Sequence, residues 1–401
     1  MPNPILFFFL IGFALSALLV GAVFYFAHKY FKKPIKPIDY ELDKINRDKV
    51  HFLTFEPICD FNTENKTYAA QSYDWQFHMK QVGKKFNQYQ IKNIIFVHGT
   101  FAGDDPFDIL RIISETTSLS PTMQETIRQI LKKSKNSLFK DLGNFDDEYV
   151  ALIEEAINHS IKCHNFTWSS ANHHLARVTG LIELLLYLEE HNLLSKKEGP
   201  LFFIGHSHAG QLFALLSQFL HNSQLLSKIL EITQYDKDSF GHLSSILKKL
   251  NKKKIDIVTL GTPIRYNWRL GKNIRLLNII NHRGSELLGG TPSGALTTRD
   301  GDYIQQWGVA GSDNNAVLKE EREINLKLDA YFGIGNQTKV WMNNIKHRKR
   351  VPHHGQTLLI DYKDSSKFPN AHQTLFGHGT YTRFQNILFN LETIVRYLYK
   401  D

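Results

Sequence analysis

The stretch Leu201-Phe202-Phe203-Ile204-Gly205-His206-Ser207-His208-Ala209-Gly210 decides the fold that this chain is predicted to adopt. Its apolar start predicts a short buried strand, and the apolar face of residues 211–216 predicts a helix directly after it. A strand, a sharp turn that carries a serine, and a helix form the layout of a nucleophile elbow, whose strained backbone lifts the serine hydroxyl clear of the sheet. Such a turn needs small residues on both sides, and Gly205 and Ala209 occupy those positions.

By itself, the serine motif also fits an ordinary helix N-terminus that Ser207 caps. The upstream stretch Ile94-Ile95-Phe96-Val97-His98-Gly99-Thr100 favours the elbow, because it is a strand followed by His-Gly-x. A serine that attacks a carbonyl needs N–H donors aimed at the oxyanion that forms. We expect the backbone N–H of His208 to be one donor and that of Thr100 to be the second, since Gly99 lets the backbone come close.

With these two motifs the sequence resembles the α/β-hydrolase superfamily, on its lipase and esterase side. Two more turns agree: Leu260-Gly261-Thr262-Pro263 is similar to a turn common beyond the elbow in lipase-like members, and residues 168–172 resemble another turn of such relatives. The resemblance covers roughly residues 51–401. It implies the α/β-hydrolase fold and serine chemistry, without indicating a particular substrate.

The rest of the chain alternates between apolar strands and amphipathic helices. Further strands are predicted at 164–168, 255–260, 274–280 and 356–362, and helices at 122–133, 147–158, 175–190, 315–332 and 381–400. Strands that alternate with helices predict an α/β fold with a mostly parallel sheet and helices on both faces. Helical insertions are expected as well, and the one at 107–160 is the better candidate for a lid over the serine.

The resemblance also implies a catalytic triad in the chain order nucleophile, acid, histidine. The histidine should follow the last strand, where His372 and His378 stand. We favour His378, because it lies between two glycines immediately before the final helix, in a loop that can bring the imidazole over Ser207. His372 is the alternative, as an ordinary loop histidine.

Three carboxylates remain candidates for the acid, which must accept a hydrogen bond from the imidazole. Asp302 is favoured, because its Gly-Asp-Tyr-Ile turn resembles the loop that presents the acid in related hydrolases. Glu286 lies close to the end of the strand predicted at 274–280, and Asp313 follows a Gly-Ser pair. The residue pattern leaves all three open.

The N-terminal segment predicts a membrane anchor. Residues 5–27 carry no charge and would span roughly 35 Å as a helix, enough for the ~30 Å hydrocarbon core of a bilayer. Basic residues follow this span and none precedes it, so the positive-inside rule predicts that the soluble domain is cytoplasmic. The predicted organisation is an anchor at 1–27, a basic linker at 28–50 and the hydrolase domain at 51–401.

Charge and motif content narrow the classes of ligand. The formal net charge of +9 favours anionic neighbours, and the basic runs at 248–254 and 346–350 are expected to be solvated, with contact to anionic lipid as the alternative. The sequence has no zinc-protease spacing, Walker loop or dinucleotide fingerprint, so neither a metal nor a cofactor is expected. Without aromatic interleaving of the basic runs, nucleic-acid binding is not expected.

Together these features predict a membrane-anchored serine hydrolase that cleaves carboxylic esters, with lipid or small esters as substrates. Ser207 would attack the carbonyl, His378 would act as general base, and Asp302 would orient the imidazole. A thioesterase or acyltransferase with the same triad is the alternative within enzymes. A binding protein that has kept the fold without turnover is the alternative outside them.

Overall fold

A seven-stranded sheet forms the centre of the part of the chain that the computed structural model describes, namely residues 42–59, 66–99, 143–157, 160–363 and 374–399. Its strands are β1 (Val50–Thr54), β2 (Asn93–Val97), β3 (Lys162–Phe166), β4 (Leu201–His206), β5 (Ile255–Leu260), β6 (Ile274–Asn281) and β7 (Gln356–Asp361). The strand order is β1-β7-β6-β5-β4-β2-β3, and every neighbouring pair is parallel. The predicted α/β fold is therefore confirmed.

Eleven helices are described around the sheet. They are α1 (Lys66–Ala70), α2 (Tyr73–Gln88), α3 (Asp147–Ile157), α4 (His174–Glu190), α5 (Ala209–His221), α6 (Ser223–Ile232), α7 (Lys237–Leu250), α8 (Tyr303–Trp307), α9 (Lys319–Phe332), α10 (Thr338–Lys346) and α11 (Phe384–Leu398).

Helices cover both faces of the sheet, because successive side chains of a strand point to opposite faces. In β2, Ile95 and Val97 pack in a core that includes α4, α5, α6, α7 and α9. Ile94 and Phe96 point the other way, into a core with α2, α3 and α11. All residues of β2, β4 and β5 are buried, which explains why the central strands are continuous apolar runs in the sequence.

The predicted strands are all present, although β3 begins two positions before its predicted start at residue 164. Several elements were not predicted, among them β1, α2 and α10. The edge strand β1 is only five residues long and half-exposed, so it lacks the apolar run that marks the central strands. The helix α2 has an apolar stripe of Trp75, Met79, Val82 and Phe86, which the sequence analysis missed among the lysines and glutamines of the outer face.

The predicted anchor at 5–27 lies outside the described residues. None of the helices that the structure describes between residues 42 and 399 has the length and apolar character needed to cross a membrane. The end of the predicted linker is described: two 3₁₀ turns at Leu42–Lys44 and Arg47–Lys49 lead into β1.

Most of the predicted lid, residues 107–142, also lies outside the described part of the chain. Its last helix, α3, is described and packs within the core through Tyr149, Ile153 and Ile157. This helix therefore covers the sheet and not the serine, because its apolar stripe is occupied by α2 and the strands.

The carboxyl ends of β4, β6 and β7 meet at one edge of the sheet, since the strands are parallel. The residues that follow these three strands are those in which the serine, the acid and the histidine are predicted. The fold therefore brings distant parts of the sequence to one place.

Candidate active site

Ser207 occupies the turn between β4 and α5 in a left-handed backbone conformation, with φ of 55°. Non-glycine residues rarely adopt this conformation, so the surrounding structure must enforce it. The Ser207 N–H donates to the carbonyl of Leu260 at 2.8 Å, and the hydroxyl of Thr262 donates to the carbonyl of Ser207 at 2.7 Å. The elbow is thus held by the end of the neighbouring strand β5 and the Gly-Thr-Pro turn after it.

Glycines allow the close approach that this turn requires. A Cβ at Gly99 would lie 2.4 Å from the Cβ of Ser207, and a Cβ at Gly205 would lie 2.4 Å from the Phe213 ring. A Cβ at Gly210 would lie 2.2 Å from the Thr262 hydroxyl oxygen. Gly210 therefore provides the second essential small position, which explains how the motif accommodates Ala209.

His378 and Asp302 form a buried hydrogen-bonded pair. The Nδ1–H of His378 donates to Oδ2 of Asp302 at 2.7 Å, and the two side chains are 8% and 0% exposed. The hydroxyl of Tyr381 donates to the same oxygen at 2.8 Å, and the backbone N–H of Gln305 donates to Oδ1 at 2.8 Å. Burial acts to raise the pKa of Asp302, but the charge and hydrogen bond of His378 and the Gln305 N–H outweigh it, so the pKa is lowered.

The imidazole of His378 is held beside the elbow by His206. The Nε2–H of His206 donates to the His378 carbonyl at 3.0 Å, and the centres of the two rings are 4.5 Å apart. Burial above all lowers the pKa of His206 to about 3, so this side chain is neutral and keeps the tautomer that the hydrogen bond needs. His206 directly precedes Ser207, so this hydrogen bond ties the loop that carries His378 to the strand that ends at the elbow.

The serine hydroxyl has one histidine contact in the described structure. Its oxygen lies 3.5 Å from Nδ1 of His208, at the limit of a hydrogen bond. Among the described residues, the buried Nε2 of His378 has no hydrogen-bond partner, so the structure shows no hydrogen bond between it and the Ser207 hydroxyl. Hydrogen bonds of this kind often tighten only once substrate is bound.

The two other candidate acids have different surroundings. Asp313 forms ion pairs with Arg177 at 2.7 Å and Arg265 at 2.8 Å. The side chain of Glu286 is exposed, and it is the backbone carbonyl of this residue that accepts a hydrogen bond from His282 at 2.6 Å. Of the three predicted carboxylates, Asp302 is the one in contact with His378.

Of the two predicted oxyanion donors, only His208 lies within the described residues. His208 is the N-cap of α5, and helix N-termini offer free N–H groups and a partial positive charge. The other predicted donor, Thr100, lies outside the described residues, as does His372. The role of both N–H groups stays a prediction.

Several residues of the site were missed or misplaced by the sequence analysis. Tyr381 was expected only as the start of the final helix, although its hydroxyl contacts Asp302 and also accepts the Asn281 N–H at 2.7 Å. Arg350, expected in a solvated basic run, is fully buried. Its guanidinium donates to the Asp302 carbonyl and, at 3.0 Å, to Oε1 of Gln305. Lys253 of the other basic run is also buried, because its ammonium donates to the Ser195 carbonyl at 2.7 Å.

No group of three or more His, Cys, Asp or Glu side chains that could hold a metal ion occurs in the described part of the chain. Comparison with known protein families, with curated proteins and with solved structures gives no match to this chain. The interpretation of the site therefore rests on its own geometry: a strained serine turn, a neutral histidine beside it, and a buried pair of histidine and aspartate.

Proposed function

We propose that this protein is a serine hydrolase of the α/β-hydrolase type that cleaves carboxylic esters. Ser207 is the nucleophile, His378 the general base and Asp302 the acid of the triad. The observation that carries the proposal is the hydrogen bond of 2.7 Å between the buried Asp302 carboxylate and His378, whose backbone carbonyl is bonded to His206, the residue before a serine in a left-handed turn. Strain of this kind is concentrated at functional sites.

The geometry supports a two-step acyl transfer. Asp302 accepts the Nδ1–H of His378, which leaves the Nε2 lone pair free to take the Ser207 proton as the hydroxyl oxygen attacks the ester carbonyl. The imidazolium then gives this proton to the leaving alcohol, and an acyl-serine remains. Water, deprotonated by the same nitrogen, attacks the acyl-serine and releases the acid. The N–H groups of His208 and Thr100 stabilise the oxyanion in both steps.

A fluorophosphonate probe tests this proposal directly, because such probes phosphonylate activated serines. We expect the folded protein to be labelled, and labelling to disappear in Ser207→Ala and in His378→Ala. Ser217→Ala is the matched control: Ser217 is also a buried serine, in the helix that starts at the elbow, and its hydroxyl bonds only to backbone groups. Folded protein that takes up no label would favour a non-catalytic binding protein instead.

The substrate class and location are further parts of this proposal. The uncharged segment 5–27 and the lysines after it support an anchored enzyme whose domain faces the cytoplasm and whose substrates are lipid esters. Retention in the membrane fraction after alkaline carbonate and protease sensitivity of the domain in sealed cytoplasm-out vesicles are the expected results. Comparing turnover of long-chain esters with that of the matching thioesters separates an esterase from a thioesterase.

A further inference from the structure

Asn281, the last residue of β6, forms hydrogen bonds with both segments that carry the candidate acid and histidine. Its backbone carbonyl accepts the N–H of Asp302 at 2.9 Å, and its side-chain amide donates at 2.9 Å to the carbonyl of Gly377, the residue before His378. Its backbone N–H donates to the Tyr381 hydroxyl at 2.7 Å, and that hydroxyl donates to the Asp302 carboxylate. Asn281 is fully buried, so one residue joins the two segments away from solvent.

The turn that leads to His378 has a left-handed backbone at three consecutive residues. The φ angles are 48° at Leu375, 56° at Phe376 and 83° at Gly377. Glycine adopts this conformation readily, whereas it is unfavourable for leucine and phenylalanine, so tertiary contacts must hold the turn. If those contacts were removed, the turn would relax and His378 would move with it.

Hydrogen bonds from two other segments reach these left-handed residues. The N–H of Tyr303, the first residue of α8, donates to the Phe376 carbonyl at 3.0 Å, and the Asn281 amide donates to the Gly377 carbonyl. The hydroxyl of Thr380 donates to the same Gly377 carbonyl at the longer distance of 3.3 Å, from within the loop itself. The Asn281 amide is therefore the contact that ties the left-handed residues to β6.

The three segments also touch through their backbones. A Cβ at Gly301 would lie 2.3 Å from the Asn281 carbonyl oxygen, and a Cβ at Gly377 would lie 2.3 Å from the Gly301 carbonyl oxygen. A shift of one segment is thus passed on to the others. The Oδ1 of Asn281 is buried and has no hydrogen-bond partner among the described residues. Because an unsatisfied buried oxygen offsets the bond that Nδ2 gains, the amide contributes little net stability, and its main consequence is the position of the turn.

We propose that Asn281 is a positioning residue, which keeps the imidazole of His378 within hydrogen-bond distance of Asp302 by tying the left-handed turn to β6. This inference rests on the proposed function, because it describes how the acid and the histidine of the triad are held together. Asn281 acts through the backbone of the turn and is not itself a catalytic group. Loss of its amide leaves its backbone bonds in place but releases the turn, so the hydrogen bond between His378 and Asp302 loosens.

Asn281→Leu tests this inference, because leucine has nearly the shape of asparagine and lacks the donor. The proton in a short hydrogen bond from an imidazole to a carboxylate is strongly deshielded, so its NMR resonance lies far downfield. We expect this resonance in the full-length protein, and its loss in His378→Ala assigns it. In Asn281→Leu we expect it to be lost or broadened and kcat for p-nitrophenyl acetate to fall about 10- to 100-fold, as misplacement of a reacting group by up to about 1 Å implies. KM should be unchanged, because the buried Asn281 does not touch substrate.

Asn278→Leu is the matched control. Asn278 is also buried and lies on the same strand, and its amide donates to the His354 carbonyl at 3.0 Å. Its Oδ1 accepts a hydrogen bond from the Thr259 hydroxyl at 2.9 Å, so both ends of this amide are satisfied. We therefore expect Asn278→Leu to lower stability in urea more than Asn281→Leu does, while the downfield resonance and kcat stay close to those of the parent.

The two asparagines decide between a positioning role and a merely structural one. Equal effects of Asn281→Leu and Asn278→Leu on the resonance and kcat, or an unchanged resonance in folded Asn281→Leu, would overturn the inference. If Asn281→Leu does not fold, Asn281→Ala and Asn278→Ala provide the same comparison, and failure of both Asn281 variants to fold assigns this residue to stability alone. A parent protein that shows the resonance but neither cleaves the ester nor takes up the fluorophosphonate probe contradicts the proposed function, and the resonance in the variants then decides the role of Asn281.

Discussion

Asp302 and Asp313 are both buried aspartates, eleven positions apart in the sequence, yet their partners differ in kind. Asp302 accepts hydrogen bonds from His378, from Tyr381 and from a backbone N–H. Asp313 is bound by the guanidiniums of Arg177 and Arg265. The Asp302 carboxylate therefore has one partner, the His378 imidazole, that can gain a proton, whereas the side chains paired with Asp313 are permanently charged.

This difference explains which of the two can serve as the acid of a triad. A negative charge surrounded by neutral donors is available to stabilise an imidazolium when His378 takes a proton. Burial acts to raise the pKa of Asp313, but the charges of Arg177 and Arg265 and the hydrogen bond from Arg177 outweigh it and lower the pKa to about 2, so the charge of Asp313 is already neutralised by guanidiniums. We expect substitutions of Asp302 to affect rate and substitutions of Asp313 to affect stability.

Asp302→Asn should have the largest effect. The amide keeps the size of the side chain, but its NH₂ group would donate to Nδ1 of His378 and hold the imidazole in the wrong tautomer, so that Nε2 could no longer accept the serine proton. We expect kcat for a p-nitrophenyl ester to fall about 10⁴-fold. Steady-state kinetics on protein with unchanged circular dichroism is the measurement, and a loss of less than about 10-fold would rule Asp302 out as the acid.

Asp313→Asn should have a large effect on stability and a small effect on rate. It leaves two buried guanidiniums without a counter-charge, which lowers the free energy of unfolding by about 3 kcal/mol. Urea denaturation measures this, and kcat of the folded variant should stay within about 10-fold of the parent. Asp361→Asn is the control: the side chains of its ion pair with Arg283 are 35% and 20% exposed, so solvent screens the pair and we expect a loss of less than about 1 kcal/mol. Similar losses in the two variants would contradict the special position of Asp313.

These aspartates also show which contacts of the candidate site can be predicted from the sequence and which cannot. The serine turn is local, so flanking strand and helix patterns suffice to predict it. The residue pattern left three carboxylates open as the partner of His378, and only the folded structure brings Asp302 into contact with it. Tyr381 and Arg350 reach Asp302 from distant segments, and a buried polar contact of this kind leaves no periodic pattern. In the sequence, nothing distinguishes the buried Arg350 from the half-buried lysines that precede it in the same basic run.

The same reasoning applies to the fold. Central strands such as β5 were predicted with correct bounds, because they are buried on both faces and therefore apolar throughout. The edge strand β1 alternates between exposed and half-buried positions over only five residues, and its pairing with β7 depends on a segment about three hundred positions away. Tertiary contacts, and not local preference, determine such elements.

The dependence of the free energy of unfolding on acid pH gives a further test of the role of Asp313. Asp313 ionises at a pKa of about 2 in the folded state and near 4 when unfolded, so between these values the unfolded chain binds more protons and stability is lost as the pH falls. This contributes about 2 kcal/mol. Asp313→Asn lacks it, so the gap in unfolding free energy between variant and parent should narrow from about pH 5 to about pH 3. A constant gap in urea titrations would show that folding does not lower the pKa of Asp313.

Tyr381→Phe tests the hydrogen bond from the Tyr381 hydroxyl to the Asp302 carboxylate. Of the variants that are expected to lower the rate, it should have the smallest effect. It removes one of three donors to the carboxylate and leaves the Asn281 N–H without its acceptor, so Asp302 is less firmly oriented toward His378. We expect kcat to fall about 10-fold with KM unchanged, because the buried tyrosine does not touch substrate. Tyr362→Phe is matched to it: that buried hydroxyl bonds to Asn390 at 2.6 Å, so its loss should lower stability and leave kcat intact. If both variants lose rate equally, the two tyrosines act through packing, and the hydrogen bond from Tyr381 to Asp302 has no role of its own in the rate.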